Sequence, residues 1–159
     1  MGTVRVRLRA PEGRQISHSY LHNPVHVVFS TKERRKLISN QSQTHLWAYL
    51  AGVCKKQKIF VHEIGGMEDH LHMLVQIPLT LAFSEAMQEI KTSSSRWMGR
   101  NFAWQRGFGI FGVSASNVDA VVRYIRTQEA HHRKMTFEQE FIALLDKHGV
   151  AYDPRYVFG

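Results

Sequence analysis

Two histidines one residue apart, His70 and His72, are the first place in this sequence where side chains can do chemistry together. They sit in Glu68-Asp69-His70-Leu71-His72-Met73-Leu74-Val75-Gln76, which alternates with the period of a β-strand. On a strand both imidazoles point to one face, while Leu71, Met73 and Val75 point to the other, towards a core. Imidazoles held side by side on a rigid element suit one divalent ion. Farther along, Tyr124 and Gln128 stand one helical turn apart, so a hydroxyl and an amide oxygen face the same point. The hypothesis they raise is a metal-assisted phosphodiester-transfer site with the histidine pair as one half and Tyr124 as the other. A tyrosine hydroxyl is a weak nucleophile near neutrality because its pKa is about 10. A metal or a phosphate environment must then favour the ionised form. Imidazole pairs suit Mn, Ni, Zn or Cu better than Mg, but a site shared with phosphate oxygens can use Mg or Mn. The spacing alone is weak evidence, because a chain with 10 histidines among 159 residues yields such a pair readily. Plain surface or core histidines, and a half-buried helix tyrosine, satisfy it equally.

The elements that must position these residues follow from hydrophobic period and turn chemistry. Asn23-Pro24 precedes a strand over 25–30, with Val25, Val27 and Phe29 on one face. Thr31 to Lys36 is a dense basic loop that suits phosphate contacts. Ser39-Asn40 opens a helix whose stripe is Leu46, Trp47, Leu50, Val53 and Cys54. A strand over 59–64 is expected to turn at Gly65-Gly66 and pair antiparallel with the His70 strand. Leu79 to about Arg100 reads as a helix, with Phe83, Met87, Ile90, Ser94 and Trp97 on one side. Trp104 to Ser114 reads as a fourth strand carrying three glycines. Ser116 is the expected cap of a helix to about Lys134 that buries Val118, Val121, Val122 and Ile125 and sets Tyr124, Gln128 and His131 on a neighbouring face. Thr136 caps a last helix that ends at Gly149. The order strand, helix, strand, strand, helix, strand is a split βαβ arrangement. The expected fold is α+β, ferredoxin-like or RRM-like, with an antiparallel sheet, helices on one face and further C-terminal helices. The free sheet face or its edges would then be the working surface.

Composition narrows the partner. The formal net charge is +8, which points to a polyanion, nucleic acid before an anionic membrane surface, with simple solubility as the plain alternative. No apolar run approaches the ~20 residues of a membrane span. Hydrophobic content of 43% argues against disorder. The single Cys54 excludes an internal disulfide, suits a reducing cytoplasm and falls on an apolar helix face. Met1 to Ile16 holds Arg5, Arg7, Arg9 and Arg14 without an apolar stretch, so it reads as a basic extension outside the fold rather than a signal peptide. One domain is expected over 17–159.

At this point the sequence resembles a known family. Gly65-Gly66 with Asp69-His70-Leu71-His72 is similar to the His-hydrophobic-His motif of single-tyrosine HUH transposases, including REP-associated relatives. The stretch from Trp104 to Ser114 resembles the strand before their tyrosine helix, and Tyr124 to Lys134 resembles that helix. Phe137 to Phe141, His148-Gly149 and Tyr152-Asp153 match the tail. The resemblance implies a transposase acting on single-stranded, hairpin-forming DNA. It implies that Tyr124 attacks the scissile phosphate to give a 5′-phosphotyrosine link and a free 3′-OH. His70 and His72 would hold the divalent ion, with Gln128 as third ligand. It also implies a homodimer in which the tyrosine helix of one subunit serves the histidine pair of the other. Lys32, Arg34, Arg35, Lys91, Arg96, Arg100 and Arg106 offer phosphate contacts, and Trp104 a base-stacking surface. Trp47 and Trp97 read as core, and Asp69 as support for a ligand rather than a ligand. The rival readings are a non-catalytic nucleic-acid binder on a ferredoxin-like sheet, a domesticated enzyme acting on host repeats, and a metal-dependent hydrolase.

Overall fold

β1 (Pro24–Ser30), β2 (Phe60–Gly66), β3 (His70–Gln76) and β4 (Gly109–Gly112) form one antiparallel sheet in the order β2-β3-β1-β4. The computed structural model describes residues 21–159, so the expected basic extension lies outside the described residues. The register sets Val28 opposite His72 and Ser30 opposite His70, which puts His26, Val28, Ser30, His70 and His72 on one face. Val25, Val27, Phe29, Leu71, Met73 and Val75 occupy the other face.

That second face carries the main core. It is covered by α1 (Asn40–Lys56), whose cap Ser39 accepts a bond from the Ser42 amide, and by α2 (Phe83–Met98). Leu46, Leu50, Val53 and Cys54 of α1 and Met87 and Ile90 of α2 bury against the strand residues. Each such side chain contributes about 1.5–3 kcal/mol through its removal from water. Cys54 is a packing residue, its thiol pushed up to about 12 by burial. Trp97 is not core: it is 45% exposed and stacks on Tyr49. α2 starts at Phe83 rather than Leu79, because the chain turns after Pro78, with the Leu81 amide bonded to the Pro78 carbonyl.

The histidine face is not a free working surface. α3 (Val118–Arg126), α4 (Gln128–His132) and α5 (Phe137–Lys147) cover it. Phe137 and Leu145 pack on Val28 and Phe111, forming a second core. α5 begins with a capping box between Thr136 and Gln139, and Gly149 takes a left-handed φ of 64° just after its end. The expected helix from Ser116 to Lys134 is interrupted. Residues Ala115–Asn117 form a 3₁₀ turn, and the Ser116 hydroxyl pairs with Ser114 instead of capping. At Thr127 the hydroxyl bonds back to the Arg123 carbonyl at 2.8 Å, a competitor for helical hydrogen bonding, and α3 ends. Of the four expected apolar residues only Ile125 is fully buried.

Two glycine positions differ from expectation for steric reasons. Gly65 and Gly66 belong to β2, and the turn is made by Met67 to Asp69. A Cβ on Gly65 would lie 2.9 Å from both Ile125 Cγ2 and the Ile125 carbonyl oxygen, so glycine there lets α3 lie directly on the sheet. We expect Gly65→Ala to lift α3, lowering stability by about 1–3 kcal/mol and weakening any chemistry that depends on Tyr124. Thermal unfolding compared with Gly52→Ala, which meets open space, checks this.

The fourth strand is shorter than its sequence suggests. Trp104 makes only an isolated bridge to Thr31, and Gly107, with φ 77°, turns the chain out before β4 begins. Lys91 Nζ holds this loop by donating to the Gln105 and Gly107 carbonyls at 2.6 and 2.8 Å. The Trp104 ring packs edgewise on Phe29 and Phe102, and its N–H donates to Ser94. It is therefore occupied in packing rather than offered to a base.

Candidate active site

The site is assembled under α3–α5, on the covered sheet face. β3 aims both imidazoles into it, and His70 and His72 are fully buried. Asp69 fixes His70 through Nδ1 at 2.6 Å, which is the supporting role expected of it. The Nδ1 of His72 meets His26 Nε2 at 2.8 Å, a β1 contact that sequence reading missed. The two outward nitrogens, Nε2 in each ring, therefore face the helices. His70 Nε2 lies 2.9 Å from Gln128 Oε1, and His72 Nε2 lies 2.9 Å from Glu140 Oε1.

Glu140 is the hub. Its Oε1 also lies 3.1 Å from His132 Nε2 and 3.4 Å from His70 Nε2. Its Oε2 accepts from the Tyr124 hydroxyl and, at 3.2 Å, from Gln128 Nε2. Tyr124 and Gln128 thus do meet the histidine pair, and they do so within one chain. In the single chain the Tyr124 ring lies edgewise to His72, with centroids 5.7 Å apart. His131, expected on one helix face with Tyr124 and Gln128, packs at a tilt against the Tyr124 ring, with centroids 4.5 Å apart. The break at Thr127 turns the next histidine, His132, to the cluster.

His70, His72, His132 and Glu140 each offer one ligand atom, all within 4.8 Å of one another. The contacts around Glu140 Oε1, between 2.9 and 3.4 Å, match the edges of a coordination shell, about 3.0–3.4 Å for bonds near 2.1 Å. The donor set therefore fits a divalent ion.

The electrostatics follow from burial against this network. Burial drives the His26 pKa down to about 3, with His72 adding to the effect, so His26 is neutral. Burial likewise lowers His72, against the opposing pull of Glu140. Burial would raise the Glu140 carboxyl, but bonds from His132 and His72 hold it far below the ordinary range. Burial would lower His132, yet the bond to Glu140 raises it. For Tyr124, burial and the adjoining carboxylate both raise the hydroxyl pKa, keeping it protonated in the free protein.

A depressed carboxyl pKa stabilises the fold above the unfolded value of 4.5 and loses that contribution as pH falls below it. A raised imidazole pKa stabilises below the unfolded value of 6.5 and loses its contribution as pH climbs through the elevated folded value. We expect the metal-free protein to be hardest to melt between these limits and to lose melting temperature steeply below pH 4.5. Glu140→Gln should flatten the acid limb. Circular-dichroism melts across the pH range check this.

The cations expected to meet phosphates separate into two groups. Arg96, Arg100 and Arg106 line one open groove with Lys91, between the end of α2 and the 103–106 loop. Burial lowers Lys91 to about 8. Lys32 is exposed beside this groove, its amide bonded to the Ala103 carbonyl at 2.9 Å. Arg35 pairs with Glu33 in solvent. Arg34 is committed elsewhere: it binds Glu138 at 2.9 Å and the Phe158 carbonyl at 3.1 Å, tying the basic loop to α5 and the tail.

A four-stranded antiparallel sheet with helices is a fold shared with known proteins. The sequence profile of the family described as "Transposase IS200 like" matches residues 19–128, which include His70, His72, Tyr124 and Gln128. The chain belongs to this family of DNA-cleaving recombination enzymes. It is 25% identical over 126 residues to the transposases of insertion sequence element IS200 from Salmonella typhimurium and Salmonella typhi, covering 72% of this chain and 82% of each relative. Its fold is similar to that of a REP-associated tyrosine transposase solved bound to a REP hairpin, with a TM-score of 0.58, 19% identity, and 76% of this chain and 74% of that one covered. It is also similar to a candidate transposase from Deinococcus radiodurans R1, with a TM-score of 0.57, 16% identity, and 72% and 98% covered. Among the described residues no helix is long and apolar enough to cross a membrane.

Proposed function

We propose that this transposase cuts and rejoins single-stranded DNA, with Tyr124 as nucleophile and His70, His72 and Gln128 around a divalent ion. The observation that supports this most is the convergence of the Tyr124 hydroxyl, both imidazoles and Gln128 on one buried carboxylate. Tyr124 Oη attacks the scissile phosphorus, and the bond from phosphorus to the 3′ oxygen breaks. The product is a 5′-phosphotyrosine link and a 3′-OH, which takes up a proton as it leaves. Glu140 Oε2 accepts the hydrogen bond of the phenol and is placed to take its proton. A bound divalent ion supplies Lewis-acid polarisation of the phosphate and positive charge that favours the phenolate. Asp69 and His26 hold the two imidazoles in orientation through their Nδ1 atoms. The tyrosyl ester conserves the energy of the broken bond, so rejoining to a new 3′-OH needs no external energy source.

The DNA partner is a hairpin with a single-stranded flank, read by the groove of Arg96, Arg100 and Arg106. The ion is Mn or Mg and the cell compartment the cytoplasm. A homodimer would bring two such sites to the two ends of an element, with each tyrosine helix serving either its own histidine pair or, as the resemblance implies, that of the other subunit. The test is incubation of the protein with end-labelled single strands from its gene flanks and Mn. A denaturation-resistant protein–DNA band carrying the 3′-side fragment, with an extendable 3′-OH on the other, supports transfer. Binding without an adduct on the correct DNA supports the non-catalytic binder instead.

Phosphate contacts release counterions, so affinity should fall steeply with salt. Replacing Arg96, Arg100 and Arg106 together by alanine should lower the salt slope by about 2–3, at roughly 0.9 per lost contact. Filter binding from 50 to 300 mM salt measures it, and an unchanged slope would remove this groove from the interface.

A further inference from the structure

We propose that the ion is held by four protein side chains, His70, His72, His132 and Glu140, so that α4 and α5 complete the centre begun by β3. This deepens the function proposed above and rests on it for the presence of an ion. His132 and Glu140 lie beyond residue 128, outside the stretch matched by the family profile.

The hydrogen-bond inventory carries the argument. In a neutral imidazole whose Nδ1–H donates to Asp69, as the 2.6 Å contact of His70 allows, Nε2 carries the lone pair. That lone pair faces two more acceptors, Gln128 Oε1 at 2.9 Å and Glu140 Oε1 at 3.4 Å. Gln128 cannot resolve the conflict by turning its amide, because Nε2 is spent on Glu140 Oε2 and the Tyr124 carbonyl. Acceptors facing one another in a fully buried site call for a cation between them. His132 Nε2 lies 3.1 Å from both Gln128 Oε1 and Glu140 Oε1, so a third imidazole nitrogen reaches the point where these oxygens converge. A cation among these atoms meets three imidazole nitrogens and one carboxylate oxygen, with Gln128 Oε1 in reach as a further donor.

The donor set also selects the ion. Between Mn and Mg, three nitrogens and one carboxylate favour Mn, and they also accept Co and Zn, whereas Mg demands oxygen ligands and keeps its waters. Glu140 then has two tasks on two atoms: Oε1 faces the ion, and Oε2 holds the Tyr124 hydroxyl. The nucleophile is thereby fixed one carboxylate away from the metal.

Cobalt is the probe, because its visible absorption reports both binding and coordination number. Full-length protein titrated with Co²⁺ should bind one ion per chain, with the intense bands of four or five coordination. Glu140→Gln and His132→Asn should each weaken Co²⁺ binding at least about tenfold and alter the spectrum. Tyr124→Phe should bind like wild type, and millimolar Mg should not displace the ion. Wild-type affinity and spectrum in both Glu140→Gln and His132→Asn would overturn the four-ligand centre. If His70→Ala nevertheless abolishes binding, the histidine pair stands without it. A wild-type chain that binds no Co²⁺ overturns both. Should His132→Asn fail to fold, the near-isosteric Glu140→Gln decides alone, with circular dichroism of the metal-free variant as its control.

Discussion

Tyr124→Phe is expected to abolish the covalent protein–DNA adduct, a loss of more than about 10³-fold, while leaving fold and DNA affinity close to wild type. The substitution removes one oxygen and nothing else. The ring keeps its edge contacts with His26 and His72 and its packing on His131, at centroid distances of 6.1, 5.7 and 4.5 Å. Glu140 Oε2 loses one donor but retains Gln128 Nε2 at 3.2 Å, so its charge is not left unpartnered. The stability cost should be about 1 kcal/mol, that of a single hydrogen bond. The groove cations are untouched. A denaturing gel with labelled single strands separates the effects: the adduct disappears, and the gel shift remains. An adduct that persists would assign the nucleophile to another hydroxyl and would end the case for Tyr124.

The variant also exposes a tension in the site. Burial and Glu140 make the Tyr124 hydroxyl harder to ionise than a free tyrosine. A nucleophile held in its inert form beside a carboxylate needs positive charge to become active. Among the described residues the hydrogen-bonded cluster consists of His, Gln, Glu, Asp and Tyr, without Lys or Arg. In the proposed function a bound ion would supply that charge, beside His132, whose pKa Glu140 raises.

Much of this was legible in the sequence because it rests on short-range pattern. The two-residue period around His70 puts both imidazoles on one face whatever the strand packs against. The buried stripe of α1 follows from spacing alone, and so does the Thr136 cap of α5. What escaped depends on long-range geometry. Glu140 lies three residues after Phe137, on the side of α5 that faces the sheet, and a carboxylate among Phe137, Phe141 and Leu145 is a signal of a partnered buried charge. The sequence reading did not single it out, because its partners come from β3, α3 and α4. His132 escaped because a continuous helix sets His131 beside Gln128, and only the Thr127 break brings the next residue round. His26 sits between valines in a run that reads simply as a strand. The covered histidine face follows from the same limit: local period shows that α5 has an apolar side, but not which sheet face it seeks.

His70→Ala is the second decisive change, because it should separate chemistry from recognition. Its ring sits at the centre of the site, bonded to Asp69 and Gln128 and stacked on Phe137 at 4.7 Å. Truncation opens a cavity and strips both partners, at a cost of about 2–4 kcal/mol in stability. Cleavage should fall below detection, since one of the two nitrogens that β3 offers an ion is gone. Hairpin affinity should change by no more than about threefold, because distant sites without shared partners behave independently. Arg96 stands on α2 and Arg100 in the turn just after it, and α2 packs on the opposite face of the sheet. Binding assays run below the melting transition, beside the adduct assay, give the answer. If affinity and cleavage fall together in a variant that is still folded, His70 supports the whole sheet rather than a metal. If cleavage alone is lost, the sheet separates the labour of its faces: α2 and its groove grip the DNA, while the buried histidines act on the phosphate that the grip delivers.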